Sequence, residues 1–311
     1  MSCPKTSSFR RLAAAALLAA LALAVPSRAA AALRVVTTTE GLASLARAVG
    51  GDRVSVESLS KGVQDPHFVD ANPMLAVKLR NAELLVDIGL DLEIGWLPPL
   101  VTQSRNGEIQ PGGKRRLTAA QAIQVLDVPT GPVDRSSGDL HPAGNPHYLD
   151  DPRRGLEVAA ALAQKLSQLD PGGAAAYQAN LAAFRKALQA DQARWGAALA
   201  AVRGKAIYSQ HRTLTYFLDW SGLVSAGELE PRPGTPPPPS HLAELVQLAQ
   251  QKGVKAIVVE NYYDTRSSEV VARHSGAKVV QIPGDVGGEP GITDYPKYLD
   301  ALVTRITGAL R

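Results

Sequence analysis

The chain has 311 residues, of which 45 % are apolar and 20 % are charged, a composition typical of folded globular proteins rather than disordered chains. The formal charge of +4 comes from four basic residues within the first 29 positions, which contain no acidic residue: Lys5, Arg10, Arg11 and Arg28. Of the 33 basic residues, 29 then remain to balance 29 acidic ones, which argues against a nucleic-acid partner.

Residues 1–29 have the pattern of a secretory signal peptide, in which a basic start precedes an apolar run and small residues suited to cleavage. The run Leu12–Val25 is too short to span the roughly 30 Å hydrocarbon layer of a membrane. We therefore expect a monomeric protein in the periplasm of a Gram-negative bacterium, without a direct membrane anchor. Cys3 is the single cysteine, so the mature chain would have neither disulfides nor thiolate metal ligands.

From position 33 onward, short β-rich segments alternate with helical ones, which indicates parallel βαβ units. The predicted strands of the first half are 33–38, 53–59 and 83–88, with helices at 41–49 and 72–81. After two helices that begin near Pro152 and Pro171, the alternation returns, with strands at 205–209, 223–229, 255–260 and 278–282 and helices at 213–220, 241–251, 267–274 and 296–309.

The helix predicted to begin at Pro171 continues to about Val202, a length of roughly 48 Å at 1.5 Å per residue. We interpret it as a connection between two lobes, although a helical hairpin within one domain is an alternative. The predicted fold is α/β, with two lobes whose parallel sheets are flanked by helices, one long α-helix joining them, and a ligand cleft between them. The predicted boundaries are 32–168 for the N-terminal lobe, 169–203 for the linking helix and 204–311 for the C-terminal lobe.

Four residues follow strands or lie in loops where such sheets bind ligands, beyond the carboxyl ends of the strands. His67 and His147 belong to the predicted first lobe, and His211 and Asp285 to the second. Three imidazoles and one carboxylate would suit tetrahedral zinc and leave no open position for a reactive water, which favours capture over catalysis. The spacing of the four residues alone is a weak signal, because no local metal-binding pair is present.

His141 lies in a loop of the first half, in the sequence Gly-Asp-Leu-His-Pro. It is a candidate accessory ligand that would pass metal to the main site, but an exposed loop histidine without a role is the simpler interpretation. A proline-rich stretch between Glu230 and Ser240 predicts a stiff, polyproline-like connector.

The sequence also resembles the periplasmic zinc/manganese-binding proteins of ABC importers, whose lobes are joined by one long helix. The resemblance extends over nearly the whole mature chain, and its most specific motifs are Asp-Pro-His-Phe ending at Phe68 and Gly-Asn-Pro-His-Tyr ending at Tyr148. Further matches are Leu169-Asp170-Pro171, Tyr208-Ser209-Gln210-His211, Val258-Val259-Glu260 and Gly284-Asp285-Val286-Gly287 followed by Tyr295.

This resemblance implies that His67, His147, His211 and Asp285 occupy the metal-ligand positions of the family. It also implies a membrane permease as partner, zinc as the transported ligand and no enzymatic activity. The histidine at position 211 favours zinc, because manganese-binding members tend to have a carboxylate there. The chain lacks the His-rich acidic loop of many zinc-binding members, which leaves open a periplasmic metallochaperone as a second partner.

Three alternatives remain at this point. The same scaffold could bind Mn(II) or Fe(II). A zinc-dependent hydrolase or lyase would need an open metal position and a general base, for which Asp65 and Glu260 are candidates. A binder of organic solutes is poorly supported, because aromatic residues are only 5 % of the chain.

Overall fold

The computed structural model describes residues 31–131, 138, 140–232 and 234–311. The predicted signal peptide lies outside these residues. Residues 32–311 form one compact unit, in which the described part contains eight β-strands and nine α-helices. Among the described helices, none combines the length and hydropathy of a membrane-spanning segment.

The first sheet is parallel and has the strand order β2-β1-β3-β4. Its strands are β1 (Leu33–Thr37), β2 (Val54–Ser58), β3 (Leu84–Asp87) and β4 (Arg116–Thr118), and its helices are α1 (Glu40–Gly50), α2 (Pro73–Arg80) and α3 (Leu97–Ser104). The Thr39 side chain caps α1 by accepting a hydrogen bond from the Leu42 amide, as polar N-cap residues commonly do. Consecutive parallel strands bring their carboxyl ends to one edge, where the loop containing His67 begins.

Two helices connect the halves of the chain, α4 (Pro152–Leu169) and α5 (Ala174–Ala200). The 27 residues of α5 span about 40 Å, and a 3₁₀ turn at Pro171–Gly173 precedes them. The single long helix was therefore predicted correctly, although its regular part is shorter than predicted at both ends.

The second sheet is also parallel, with the order β6-β5-β7-β8, so it repeats the strand order of the first. Its strands are β5 (Ala206–Ser209), β6 (Val224–Glu228), β7 (Ala256–Glu260) and β8 (Lys278–Ile282), and its helices are α6 (Thr215–Ser221), α7 (Pro239–Lys252), α8 (Arg266–Ser275) and α9 (Tyr295–Leu310). In this order β6 is added on one side of β5 and β7 on the other, so the strand order reverses between β5 and β7, the place where open α/β sheets bind ligands. His211 follows β5 at this point.

Helices α5 and α9 each contact both lobes. Asn180 of α5 donates a hydrogen bond to the Val49 carbonyl of the first lobe, and Trp195 donates its indole N–H to Asp300 of α9. At the start of α9, the Tyr295 amide donates to the Ser44 hydroxyl in α1. Buried apolar side chains of both lobes join one continuous core. The predicted two-lobe α/β fold is therefore confirmed, while the predicted domain boundaries stay a prediction.

Candidate metal centre

Three of the predicted ligands converge between the sheets. His67, His147 and His211 each present one ring nitrogen within 4.8 Å of those of the other two, and their ring centroids are 5.3–5.5 Å apart. The side chains of His67 and His211 are almost completely buried. Residues separated by up to 144 positions in sequence thus form one nitrogen-rich cluster, which is the geometry that a bound metal ion needs.

The Nδ1 atom of each of these histidines faces its own hydrogen-bond partner. Asp65 Oδ1 lies 2.7 Å from His67 Nδ1, Asn145 Oδ1 lies 3.0 Å from His147 Nδ1, and Glu230 Oε2 lies 2.9 Å from His211 Nδ1. Because carboxylate and amide oxygens accept hydrogen bonds, each Nδ1 carries a proton, and in the neutral form of each ring the lone pair is therefore on Nε2. Such outer partners fix the orientation and basicity of histidine ligands in metal sites.

Burial sets the protonation of the cluster. Burial and the neighbouring imidazoles hold the pKa of His147 well below its ordinary value and lower the pKa of His141 to about 4. Burial also lowers the pKa of His211, but the hydrogen bond and charge of Glu230 outweigh it, so that the net pKa is raised. His147 and His141 are therefore neutral at neutral pH, with lone pairs available for a metal ion.

Asp285, the fourth predicted ligand, lies next to this cluster but outside the group of three. Its carboxylate accepts hydrogen bonds from the backbone amides of Gly41, 3.0 Å away in the first turn of α1, and Val286, 2.7 Å away. It lines an interlobe cavity of about 60 Å³ together with His147 and Glu260. Burial raises the pKa of Asp285 to about 6, against these hydrogen bonds. Its assignment as a metal ligand stays a prediction.

His141, the candidate accessory ligand, lies inside the site rather than on an exposed loop. Its Nε2 atom is 3.3 Å from His67 Nε2, and the two rings stack at 5.4 Å. The side chain is only partly exposed and lines a small cavity with His147 and His211. The structure therefore contradicts the interpretation of His141 as an exposed loop histidine and leaves its role as a ligand open.

The outer partners of the histidines were missed in the sequence. Asp65 and Asn145 each precede a histidine by two residues, a spacing that lets the side-chain oxygen reach both the backbone amide and the Nδ1 atom of that histidine. This two-residue spacing could have been recognised in the sequence. Glu230 lies 19 residues from His211, and only the parallel pairing of β5 with β6 brings the two together.

The sequence profile of the family described as "Zinc-uptake complex component A periplasmic", or ZnuA, matches residues 35–309. The chain belongs to this family. It is therefore a metal-binding, extracytoplasmic solute-binding protein of an ABC importer, not an enzyme, and it works with a membrane permease and an ATPase. The recognition made from sequence motifs is confirmed, and the alternative of a zinc-dependent hydrolase is wrong.

Individual relatives differ in the metal that their names give. The manganese ABC transporter substrate-binding lipoprotein PsaA of Streptococcus pneumoniae is 25 % identical over 252 residues, or 79 % of this chain and 78 % of that protein. The iron ABC transporter substrate-binding lipoprotein MtsA of Streptococcus pyogenes serotype M1 has the same identity and coverage. Membership in the family therefore leaves the metal of this chain undecided.

Solved structures of similar proteins have the same fold. A crystal structure of ZnuA has a TM-score of 0.76 and 26 % identity, covering 90 % of this chain and 100 % of that chain. A Mn-bound periplasmic metal-binding protein from Candidatus Liberibacter asiaticus has a TM-score of 0.74 at 19 % identity, with the same coverage. The second likeness supports the two-lobe fold alone.

Proposed function

We propose that this protein captures Zn(II) between its lobes and delivers it to the permease of an ABC importer. The observation that carries the proposal is the convergence of His67, His147 and His211, each with a hydrogen-bond acceptor on Nδ1. Imidazole nitrogen suits zinc, whereas manganese favours oxygen ligands. In this proposal the protein acts in the periplasm of a Gram-negative bacterium, and a metallochaperone is a further partner.

A fourth ligand would complete a tetrahedral zinc site. The family resemblance suggests Asp285, whose carboxylate borders the cavity beside His147. The short distance between His141 and His67 suggests His141 instead. The three central imidazoles are common to both arrangements, so the proposal of zinc capture is tested through them.

Competitive titration of the metal-free protein with Zn(II), Mn(II) and Fe(II) tests the choice of metal. We expect zinc to bind at one equivalent and to displace manganese. Alanine at His67, His147 or His211 should weaken zinc binding by at least the roughly 10–100-fold that loss of an outer partner costs. His274→Ala is the matched control. His274 is exposed and lies in the last turn of α8, just before the amino end of β8.

Manganese or iron outcompeting zinc would replace the proposed cargo with one of the metals named for the streptococcal relatives. Unchanged zinc binding in all three alanine variants would place the metal elsewhere and overturn the proposed site. Circular dichroism and thermal unfolding of each variant separate loss of a ligand from loss of the fold.

A further inference from the structure

The candidate metal centre lies inside a structure that resists wide opening. Helices α5 and α9 each contact both lobes, and apolar side chains of both lobes share one core. Gly62 of the first lobe also lies against the Val286 carbonyl of the second, without room for a side chain. His67 and His211 are almost completely buried. An ion that reaches these histidines without a wide movement of the lobes needs a passage between loops.

A groove in the surface of the first lobe extends to the edge of this region. It has a volume of about 560 Å³ and is lined by α1, α2, the edge strand β2 and the loop between β2 and α2. Its charged side chains include two ion pairs, Arg47 with Glu40 and Lys78 with Glu57. A water molecule in the liquid occupies about 30 Å³, so this first-lobe groove has room for a divalent ion with a full shell of water molecules.

The first-lobe groove and the interlobe cavity of about 60 Å³ share part of their walls. Ser60 and Gln64 line both, and the cavity also borders His147 and Asp285. Glu260, which borders the cavity too, has a buried Oε2 atom without a hydrogen-bond partner among the described residues. The cavity has room for only a few water molecules. An ion that moves from the groove into the cavity would therefore lose most of its water shell and meet carboxylate oxygens in exchange.

The two shared wall residues differ in how firmly they are held. Ser60 is buried, and its hydroxyl donates to the Thr38 carbonyl at 2.8 Å. Gln64 is partly exposed, and its side-chain oxygen accepts a hydrogen bond from the Lys61 amide at 2.9 Å, at the exposed surface. Water can replace an exposed hydrogen bond at little cost in free energy. The side chain of Gln64 is therefore the part of the shared wall that can move aside most easily.

We infer that metal ions enter and leave the candidate centre through the first-lobe groove, and that Gln64 is the gate residue of this passage. The inference rests on the proposed function, because it concerns the route to the same site. A gate residue changes the height of the barrier to passage and leaves the stability of the bound state unchanged. Association and dissociation rates therefore change by the same factor when the gate is altered, while the Kd stays constant.

Stopped-flow kinetics of the full chain with zinc ions tests the passage through Gln64→Ala, which shortens the gate side chain. A chromogenic zinc chelator reports association with the metal-free protein and dissociation from the zinc-loaded protein. We expect both rates to rise by about threefold or more, with the Kd within about twofold of wild type. Gln178→Ala is the matched control, because Gln178 is exposed on α5, two residues from the contact of Asn180 with the last turn of α1.

A second variant, Gln64→Glu, keeps the length of the side chain and the acceptor for the Lys61 amide but adds a negative charge. A charge beside the route attracts the entering dication, so we expect the association rate to rise by about threefold or more at low ionic strength. Because salt screens exposed charges, the gain should largely disappear at about 1 M salt. Gln178→Glu adds the same charge away from the groove and should leave the association rate at the wild-type value.

The outcomes separate this inference from the proposed function. Wild-type rates in both Gln64→Ala and Gln64→Glu, with normal zinc binding, would overturn the route and keep zinc capture. A weaker affinity in Gln64→Ala with an unchanged association rate would also overturn the route, because Gln64 would then support the bound state. Absence of zinc binding in the wild type would overturn the proposed function itself. Thermal unfolding shows whether each variant is folded, and Gln64→Glu decides the question if Gln64→Ala is not.

Discussion

Glu230 Oε2 accepts two hydrogen bonds, one from His211 Nδ1 at 2.9 Å and one from the backbone amide of Gly234 at 2.8 Å. Glu230 is 8 % exposed, and these two hydrogen bonds join His211 directly to the proline-rich connector. The connector was predicted to be stiff. Through the Glu230 carboxylate, its position affects the orientation of the candidate ligand His211.

We predict that Glu230→Gln weakens zinc binding by about 10–100-fold, the usual cost of losing an outer partner of a metal-bound histidine. The glutamine side chain has no charge with which to stabilise His211. Its oxygen can accept the hydrogen bonds from His211 and Gly234, but its NH₂ group in the same position cannot. Chelator competition measures the change. Glu228→Gln is the matched control, because Glu228 is two residues away in β6 and bonds to Ser225 instead; equal effects at both positions would contradict the prediction.

A backbone contact between the lobes predicts the effect of one added methyl group. A Cβ at Gly62 would lie 2.1 Å from the Val286 carbonyl oxygen and 2.5 Å from the Gly288 amide nitrogen, so the loop containing His67 meets the loop containing Asp285 without room for a side chain. Gly62→Ala should push these loops apart, lower zinc affinity by about tenfold and destabilise the protein by about 1–3 kcal/mol.

Gly196→Ala is the control for the same chemical change. Gly196 lies within α5, where an added Cβ meets no atom within 4 Å, so the substitution should stabilise the fold by about 0.5–1 kcal/mol and leave zinc affinity unchanged. Chelator competition and urea unfolding measure both effects. Wild-type affinity in Gly62→Ala would show that the loops can yield without moving the histidines.

The alternation of apolar segments predicted most of the fold, because buried parallel strands and amphipathic helices leave strong local patterns. It missed α3, which begins with Leu97-Pro98-Pro99, and the short strand β4 at Arg116–Thr118. Two prolines favour a turn as readily as a first helical turn. Three residues containing arginine and threonine carry no strand pattern, and β4 exists because β3 offers it a parallel edge.

The three central histidines were predictable because each occupies a position defined by a strand end or a motif. The place of His141 was not, because no local pattern specifies that a loop folds back until two imidazole nitrogens are 3.3 Å apart. The bonds of Asp285 to Gly41 and Val286 depend on how the lobes meet. Such long-range contacts, rather than secondary structure, limit what one sequence can predict.

A buried carboxylate in the first lobe should make stability depend on pH. Glu93 accepts hydrogen bonds from the Thr38 hydroxyl at 2.6 Å and the Ile88 amide at 2.8 Å. Burial, followed by the charge of Asp87, raises the pKa of Glu93 to about 7. The folded state therefore holds this proton more tightly than the unfolded state, whose carboxyl has an ordinary pKa near 4.5. The resulting stabilisation is complete below about pH 4.5 and is lost as the pH rises through about 7.

Glu93→Gln removes this titration and should flatten part of the pH profile. Relative to the variant, we expect the wild-type free energy of unfolding to fall by on the order of 1–3 kcal/mol between pH 4.5 and 8. Urea unfolding of both proteins in that range measures the difference. A difference that is constant with pH would show that Glu93 does not titrate in this window.

Asn145 connects the loop containing His147 to the second lobe by hydrogen bonds. A substitution that changes one atom of its side chain tests this connection. Its Oδ1 atom faces His147 Nδ1, while its amide nitrogen donates to the Arg212 carbonyl at 2.7 Å and to the Thr215 hydroxyl at 3.1 Å. Asn145→Asp keeps the acceptor for His147 but sets a carboxylate oxygen against the Arg212 carbonyl oxygen. We expect a loss of about 1–3 kcal/mol in the free energy of unfolding.

Asn72→Asp makes the same substitution where only an acceptor is needed. Asn72 caps α2 by accepting the Met74 amide, and aspartate caps helices equally well, so stability should stay within about 0.5 kcal/mol of wild type. Urea unfolding of the two variants at neutral pH makes the comparison. Equal stability of Asn145→Asp and Asn72→Asp would show that the hydrogen bonds donated by Asn145 do not hold the lobes together. The position of His147 beside His211 would then depend on packing alone.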